Sequence, residues 1–212
     1  MRLTKHEHAT LRIEEAGETL LIDPGSFTLP LDALTSVVGV VITHEHPDHW
    51  TPGHLDRILA ASPGVSIYGP AGVARAAEGY EVTTVAPGDV VEAGTFRLQF
   101  FGGAHEVIHP TLPDIENVGV LVNERLYYPG DSYALPEGVA VDTLAAPLGA
   151  PWLRIRDAID FVLAIAPRRA FGTHDMTLSE IGKGMHRQRL QWATEQGDGT
   201  FFTLNPDDTL DI

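Results

Sequence analysis

Apolar and polar residues alternate along the first 22 positions. Leu11 and Ile13, then Leu20 and Ile22, share one face, and Glu15-Ala16-Gly17-Glu18 supplies a turn between them. That period of two predicts a β-meander, with His6 and His8 on one face of its first strand. The run Val37-Val38-Gly39-Val40-Val41-Ile42 is apolar and β-branched and predicts a buried strand. The period then changes. Thr51 is placed to cap a helix with Pro52 at its first position, Leu55, Ile58 and Leu59 give it one apolar face, and Ser62-Pro63-Gly64 ends it. His54 falls on that helix and reads as a surface residue.

A short strand over 65–68 and a short helix over 72–78, stopped by Gly79, come next. From Val90 to Phe101 the chain reads as strand around a Gly94 turn, with Phe96, Leu98 and Phe100 alternating against Arg97 and Gln99. Residues 117–122 and 125–128 predict a hairpin around Asn123-Glu124, and 141–146 another apolar strand. A Pro/Gly-rich loop over 147–152 leads into a helix with Ile155, Ile159, Val162, Leu163 and Ala166 on one face, stopped by Pro167. Residues 170–172 read as strand, 179–195 as the last helix and 200–204 as a closing strand. No linker, low-complexity segment or exact repeat interrupts the chain. Its 212 residues suit a single domain of two packed halves, about 1–115 and 116–212.

Composition narrows the partners. Hydrophobic residues make up 43% and charged ones 20%, a globular balance. No apolar run approaches the roughly 20 residues that span a bilayer, so no membrane partner is expected. Residues 1–6 lack the apolar core of a secretory signal, and the absence of cysteine excludes disulfides and thiolate ligation; both fit a cytoplasmic protein. The formal net charge is -15, with 14 Lys and Arg against 29 acids. A phosphate backbone needs a basic footprint, so nucleic acid is not expected as a partner. A small-molecule substrate is, and a homo-oligomer stays open.

The densest chemistry lies in Thr43-His44-Glu45-His46-Pro47-Asp48-His49, directly after the buried strand. His44 and His46 are two apart and project to one side of extended backbone, whereas Asp48 and His49 follow where the chain turns toward the helix. One loop is thus able to serve two adjacent metal ions. Imidazole suits zinc, manganese and iron, and a carboxylate neutralises charge. A solvated polar loop is the plain alternative, but four such groups within six residues at a strand end point to metal. Asp23, ending a strand before Pro24-Gly25, is either a turn aspartate or an acceptor that orients a ligand and braces the metal loop.

His44-x-His46-x-Asp48-His49 resembles the signature of the metallo-β-lactamase superfamily. Thr19 to Gly25 is similar to the family's early strand ending in aspartate, and Phe100 to His105 to its strand, small-residue turn and histidine. Tyr127 to Ser132 is similar to the segment whose aspartate bridges two metals, and Phe171 to Asp175 to the strand ending in histidine. All five occur in order across most of the chain. The resemblance implies an α+β fold, an αβ/βα four-layer sandwich of two mixed β-sheets flanked by helices. It implies two divalent ions, zinc first and manganese as the alternative. His44, His46 and His105 would hold one ion, Asp48, His49 and His174 the other, and Asp131 would reach both.

The chemistry so implied is hydrolysis by a metal-bound hydroxide, with Asp48 and Asp131 as the catalytic carboxylates and ions about 3.5–4 Å apart. Gly130-Asp131-Ser132 and Ala150-Pro151-Trp152 are similar to the ascorbate-6-phosphate-lactonase-like branch, which implies a small ester, lactone or phosphodiester. His8, in a run like that branch's Gly-His-Ala/Ser opening but with Glu7 replacing glycine, His109 and Trp152 are candidates for substrate contact. His109 also competes with His105 as a ligand. His105 is preferred because it directly follows the Gly102-Gly103 turn. His46, where a diiron oxidoreductase branch has an acidic residue, argues against oxidation. No Gly-x-Ser-x-Gly elbow or P-loop offers a rival apparatus. A metal-binding scaffold without turnover, or a phosphodiesterase or nuclease acting on nucleotides, are the alternatives.

Overall fold

A computed structural model describes all 212 residues. In the first sheet, β1 (Arg2–Lys5), β2 (Leu11–Glu15) and β3 (Glu18–Ile22) pair antiparallel, and β4 (Val37–Val41), β5 (Ser66–Gly69) and β6 (Val82–Thr84) continue from β3 in parallel. The second sheet repeats that plan. β7 (Val90–Ala93), β8 (Phe96–Gly102), β9 (Val118–Val122) and β10 (Leu126–Tyr128) are antiparallel, and β11 (Thr143–Pro147), β12 (Arg169–Thr173) and β13 (Thr200–Phe202) follow in parallel. The last strand, β14 (Thr209–Asp211), returns to the first sheet and closes it against β1.

The apolar runs are explained by burial on both faces. In β3, Leu20 and Ile22 face the second sheet while Leu21 faces outward; in β9, Val118, Val120 and Val122 face the first sheet while Leu121 faces outward. The inward set, with Phe96, Leu98, Phe100 and Phe171, forms a core between the sheets. Leu21, Val40 and Ile42 meet α1 (Pro52–Ala61) and α2 (Ala71–Ala76) through Leu55, Ile58 and Val73. Leu121, Leu144 and Ala170 meet α3 (Ile155–Ile165) and α4 (Glu180–Glu195) through Phe161, Val162 and Leu190. The result is the four-layer α+β sandwich. No helix is long and apolar enough to cross a membrane.

Several expectations shift. The chain passes from one sheet to the other between β6 and β7, near residue 85 rather than 115, and β14 crosses back. The strands β6 and β14, three residues each and largely exposed, gave no periodic signal. His6 and His8 lie beyond β1 in a turn where His8 has φ +56°, so they do not share a strand face. His54 is buried, not on the surface: Nε2–H donates to the Thr28 carbonyl at 3.2 Å and ties α1 to the segment after β3.

Candidate metal centre

Six strand ends deliver the site. Asp23 follows β3, residues 43–49 follow β4, His105 follows β8, Asp131 follows β10, the 148–152 loop follows β11 and His174 follows β12. These strands run in the same sense within their sheets, so all six loops gather along one edge, where a crevice outside strand termini is free to take ligands.

The histidines and aspartates spread over residues 44–174 meet there. Asp131 is central: its Oδ1 lies 3.2 Å from His49 Nε2, and its Oδ2 lies 3.1 Å from His174 Nε2, 3.4 Å from His105 Nε2 and 4.0 Å from His44 Nε2. Asp48 Oδ2 lies 3.4 Å from His174 Nε2 and 3.9 Å from His49 Nε2. His44, His46 and His105 form one group within ligating reach, Asp48, His49 and His174 belong to a second, and His44, His49 and Asp131 connect them.

The far side of each ring fixes its tautomer. His49 Nδ1–H donates to Asp23 Oδ2 at 2.7 Å, His105 Nδ1–H to the Glu106 carbonyl at 2.5 Å and His174 Nδ1–H to the Gly149 carbonyl at 2.7 Å. Thr43 Oγ1–H is committed to Asp23 Oδ2 at 2.7 Å, so at 3.1 Å it accepts from His44 Nδ1–H. In its neutral form each ring therefore turns an Nε2 lone pair into the cluster. Four of the nine buried side-chain atoms that lack a hydrogen-bond partner sit here: His49 Nε2, His105 Nε2, His174 Nε2 and Asp131 Oδ1. Buried polar atoms are almost always satisfied, so four orphans aimed at one space fit a bound cation. His44 Nε2 and His46 Nδ1, 3.0 Å apart, likewise need a proton or a cation between them.

Electrostatics agree. Burial would raise the carboxyls of Asp48 and Asp131, yet His174 and its neighbours outweigh it and hold both well below the usual carboxylate range. Both are carboxylates at neutral pH, the form that ligates a cation. Burial works against the charged form of His174, but Asp131 and Asp48 outweigh it and hold the ring at about 9. His49 is raised in the same way, by Asp131 and Asp23 against burial. Burial, with His49 adding to it, lowers His44. A metal held by His49 and His174 would have to displace the protons that these rings otherwise keep.

Supporting residues complete the picture. Asp23 accepts from Thr43 N–H at 2.8 Å as well as from His49, so it is the brace of the metal loop and not merely a turn residue. Gly25 is required beside it, since a Cβ there would fall 1.8 Å from the Asp48 carbonyl oxygen. His8 is fully buried and offers no surface to a substrate. Its Nδ1 accepts from Met176 N–H at 3.2 Å, so its hydrogen is on Nε2 and is donated to Asp48 Oδ2 at 3.2 Å. His8 lies within reach of the second group, and with that tautomer its ring positions Asp48. Trp152 is buried too, and its Nε1–H donates to Asp131 Oδ2 at 2.9 Å. His109 is exposed, stands outside the ligand groups and lines a cavity beside His46 and His105.

Three positions escaped the sequence. Asn117 is fully buried, accepts from Asp131 N–H at 3.0 Å and donates to the Pro129 carbonyl at 2.9 Å. Its signal was a lone amide at the head of an all-apolar strand, which must find partners inside. Thr43 left no signal beyond adjacency. Asp175 receives Lys5 Nζ at 3.3 Å and Arg187 Nη2 at 3.4 Å, a buried ion cluster behind the His174 loop. His8, Asp23 and His174 all have positive φ, +56°, +48° and +54°, in a region costing about 1–3 kcal/mol per residue. Strain of that kind persists only where surrounding contacts over-determine it.

Comparison with known proteins places this geometry. The family described as "Beta-lactamase superfamily domain" matches residues 2–174. Protein Rv0786c of Mycobacterium tuberculosis is 36% identical over 196 residues, covering 90% of this chain and 91% of that protein. A UPF0173 metal-dependent hydrolase of Dinoroseobacter shibae is 33% identical over 113 residues, 50% of this chain and 49% of that one. Among solved structures, Igni18, a metallo hydrolase of Ignicoccus hospitalis, superposes with a TM-score of 0.74 at 18% identity, covering 100% of this chain and 98% of that chain.

Proposed function

The chain belongs to the metallo-β-lactamase superfamily as a metal-dependent hydrolase, and we propose that it works with two divalent ions on a small ester, lactone or phosphodiester. The observation that carries the reading is the set of orphaned atoms: three imidazole Nε2 atoms and one carboxylate oxygen, buried and aimed at one space. His44, His46 and His105 would hold one ion, Asp48, His49 and His174 the other, and Asp131 both. Nitrogen and oxygen donors without sulfur suit zinc, and manganese next. Ions bound there supply Lewis acidity and acidify water toward a pKa of about 7.

The chain's own part is orientation. Asp23 and the Glu106 and Gly149 carbonyls hold protons on the outer nitrogens, which keeps the inner ones free to ligate. Trp152 and His8 donate to Asp131 and Asp48 and fix their oxygens. The loops by which the chain resembles the lactonase-like branch imply ester, lactone or phosphodiester cleavage without choosing among them. In protein reconstituted with zinc or manganese, a panel of lactones, 4-nitrophenyl esters and bis-4-nitrophenyl phosphate is expected to include a substrate, and His46→Ala to abolish its turnover and lower metal content. Full activity in that variant contradicts the ligand assignment. Two bound metals with no turnover across the panel favours a scaffold.

A further inference from the structure

The cavity beside the ligand cluster is lined by neither lysine nor arginine, and among the loops that build the site only the one between β11 and α3 carries a cation, the exposed Arg154 at its far end. The stretches 13–56, 98–124, 126–153 and 170–182 hold every residue of the ligand cluster, and all 14 cationic side chains of the protein lie outside them. Acids are present in the same stretches, among them Glu106 and Asp114. These two help to line a cavity of about 170 Å³ that opens beside His46 and His105. Apart from His109, the rest of its wall is apolar, with Val107, Ile108, Leu112 and Ile115. Val107, Ile108 and Leu112 are 61%, 39% and 52% exposed. Apolar surface left in water costs about 25 cal/mol per Å², so three such side chains gathered in one wall beside the ligands mark a place for an apolar group.

Recognition of a phosphate or carboxylate away from the reacting centre calls for a guanidinium or ammonium. In this cavity such a group meets two carboxylates instead, and like charges brought together oppose binding. We infer that the cavity is a subsite for a short, uncharged acyl group, so that the substrate is a neutral ester or lactone and not a phosphorylated or otherwise anionic one. The inference rests on the hydrolase reading above and narrows it. The volume, below the roughly 300–1,000 Å³ that takes a drug-sized ligand, limits the acyl group to a short one. In the reaction, the oxygen of water bonds to the carbonyl carbon and the bond from that carbon to the leaving oxygen breaks. The leaving oxygen takes one proton of water, and the acid formed releases the other to solvent.

The test compares two esters of one leaving group on the metal-reconstituted protein, 4-nitrophenyl butyrate and 4-nitrophenyl hemisuccinate, which differ by a terminal carboxylate. The expected kcat/KM favours butyrate by at least about tenfold, with the difference in KM. Asp114→Lys is expected to narrow that ratio, and Leu112→Asp to raise KM for butyrate while leaving metal content unchanged. Binding is read separately by calorimetry with the corresponding amides, butyranilide and succinanilic acid, of which butyranilide is expected to bind more tightly. Equal or better handling of the succinyl compounds, a ratio unmoved by Asp114→Lys, or faster cleavage of bis-4-nitrophenyl phosphate than of either ester overturns the inference while the hydrolase reading stands. Absence of any turnover removes the hydrolase reading, and the amide affinities still decide what the cavity prefers.

Discussion

At Asp131 the division of labour within a single side chain is visible. One oxygen is fixed by Trp152 Nε1–H and the other is buried without a donor. The sequence offers Trp152 as a candidate for substrate contact, and nothing in a Pro/Gly-rich loop distinguishes an indole that packs from one that donates. Replacing it with phenylalanine keeps most of the apolar contact and removes the donor. Trp152→Phe is expected to weaken metal affinity by about 10–100-fold with the fold retained; unchanged affinity by competition with a chelating dye refutes the positioning role. His8 gives a second expectation. Burial lowers its pKa from the ordinary 6.5 to about 4. A histidine with a depressed folded pKa contributes stability that is complete above the unfolded value and is lost as pH falls toward the folded one. Metal-free protein should therefore lose about 3 kcal/mol through this ring between pH 6.5 and 4. Denaturant midpoints of His8→Gln should vary less with pH across that window than those of the parent; identical slopes count against a buried neutral imidazole.

The elements were legible in proportion to their burial. β3, β4 and β9 are buried on both faces; the apolar run of β4 announced it, the period of two announced β3 and the turn at Asn123-Glu124 announced β9. β6 and β14 are short and exposed, and pairing alone holds them, a tertiary fact that no local pattern encodes. The ligand loops were legible because histidine and aspartate recur directly after strands, and Gly102-Gly103 singled out His105 over His109. What supports the ligands was not, since backbone carbonyls such as Gly149 carry no residue identity and His8 reaches Asp48 only through the fold. Gly25 shows the same limit. Its place after Asp23 suggested a turn, whereas its real constraint is the Asp48 backbone packed against it. Gly25→Ala should displace the metal loop, so that metal content falls more than secondary structure does. Wild-type metal content in that variant argues that the loop yields without cost.

Across the whole molecule, two sheets of matching plan bring separate loops to one edge, and the repetition exists in topology without repeating in sequence. The chain carries a formal charge of -15, and three aspartates stand among the site histidines, so cations held there would offset local negative charge. The most direct test of a two-ion centre joined by Asp131 is metal content per chain by plasma mass spectrometry, for wild type beside Asp131→Ala, after reconstitution and dialysis. Two ions per chain in the wild type, with both sites depleted in the variant, is the expected result. A single ion in the wild type, or a variant that loses only one of two, contradicts it.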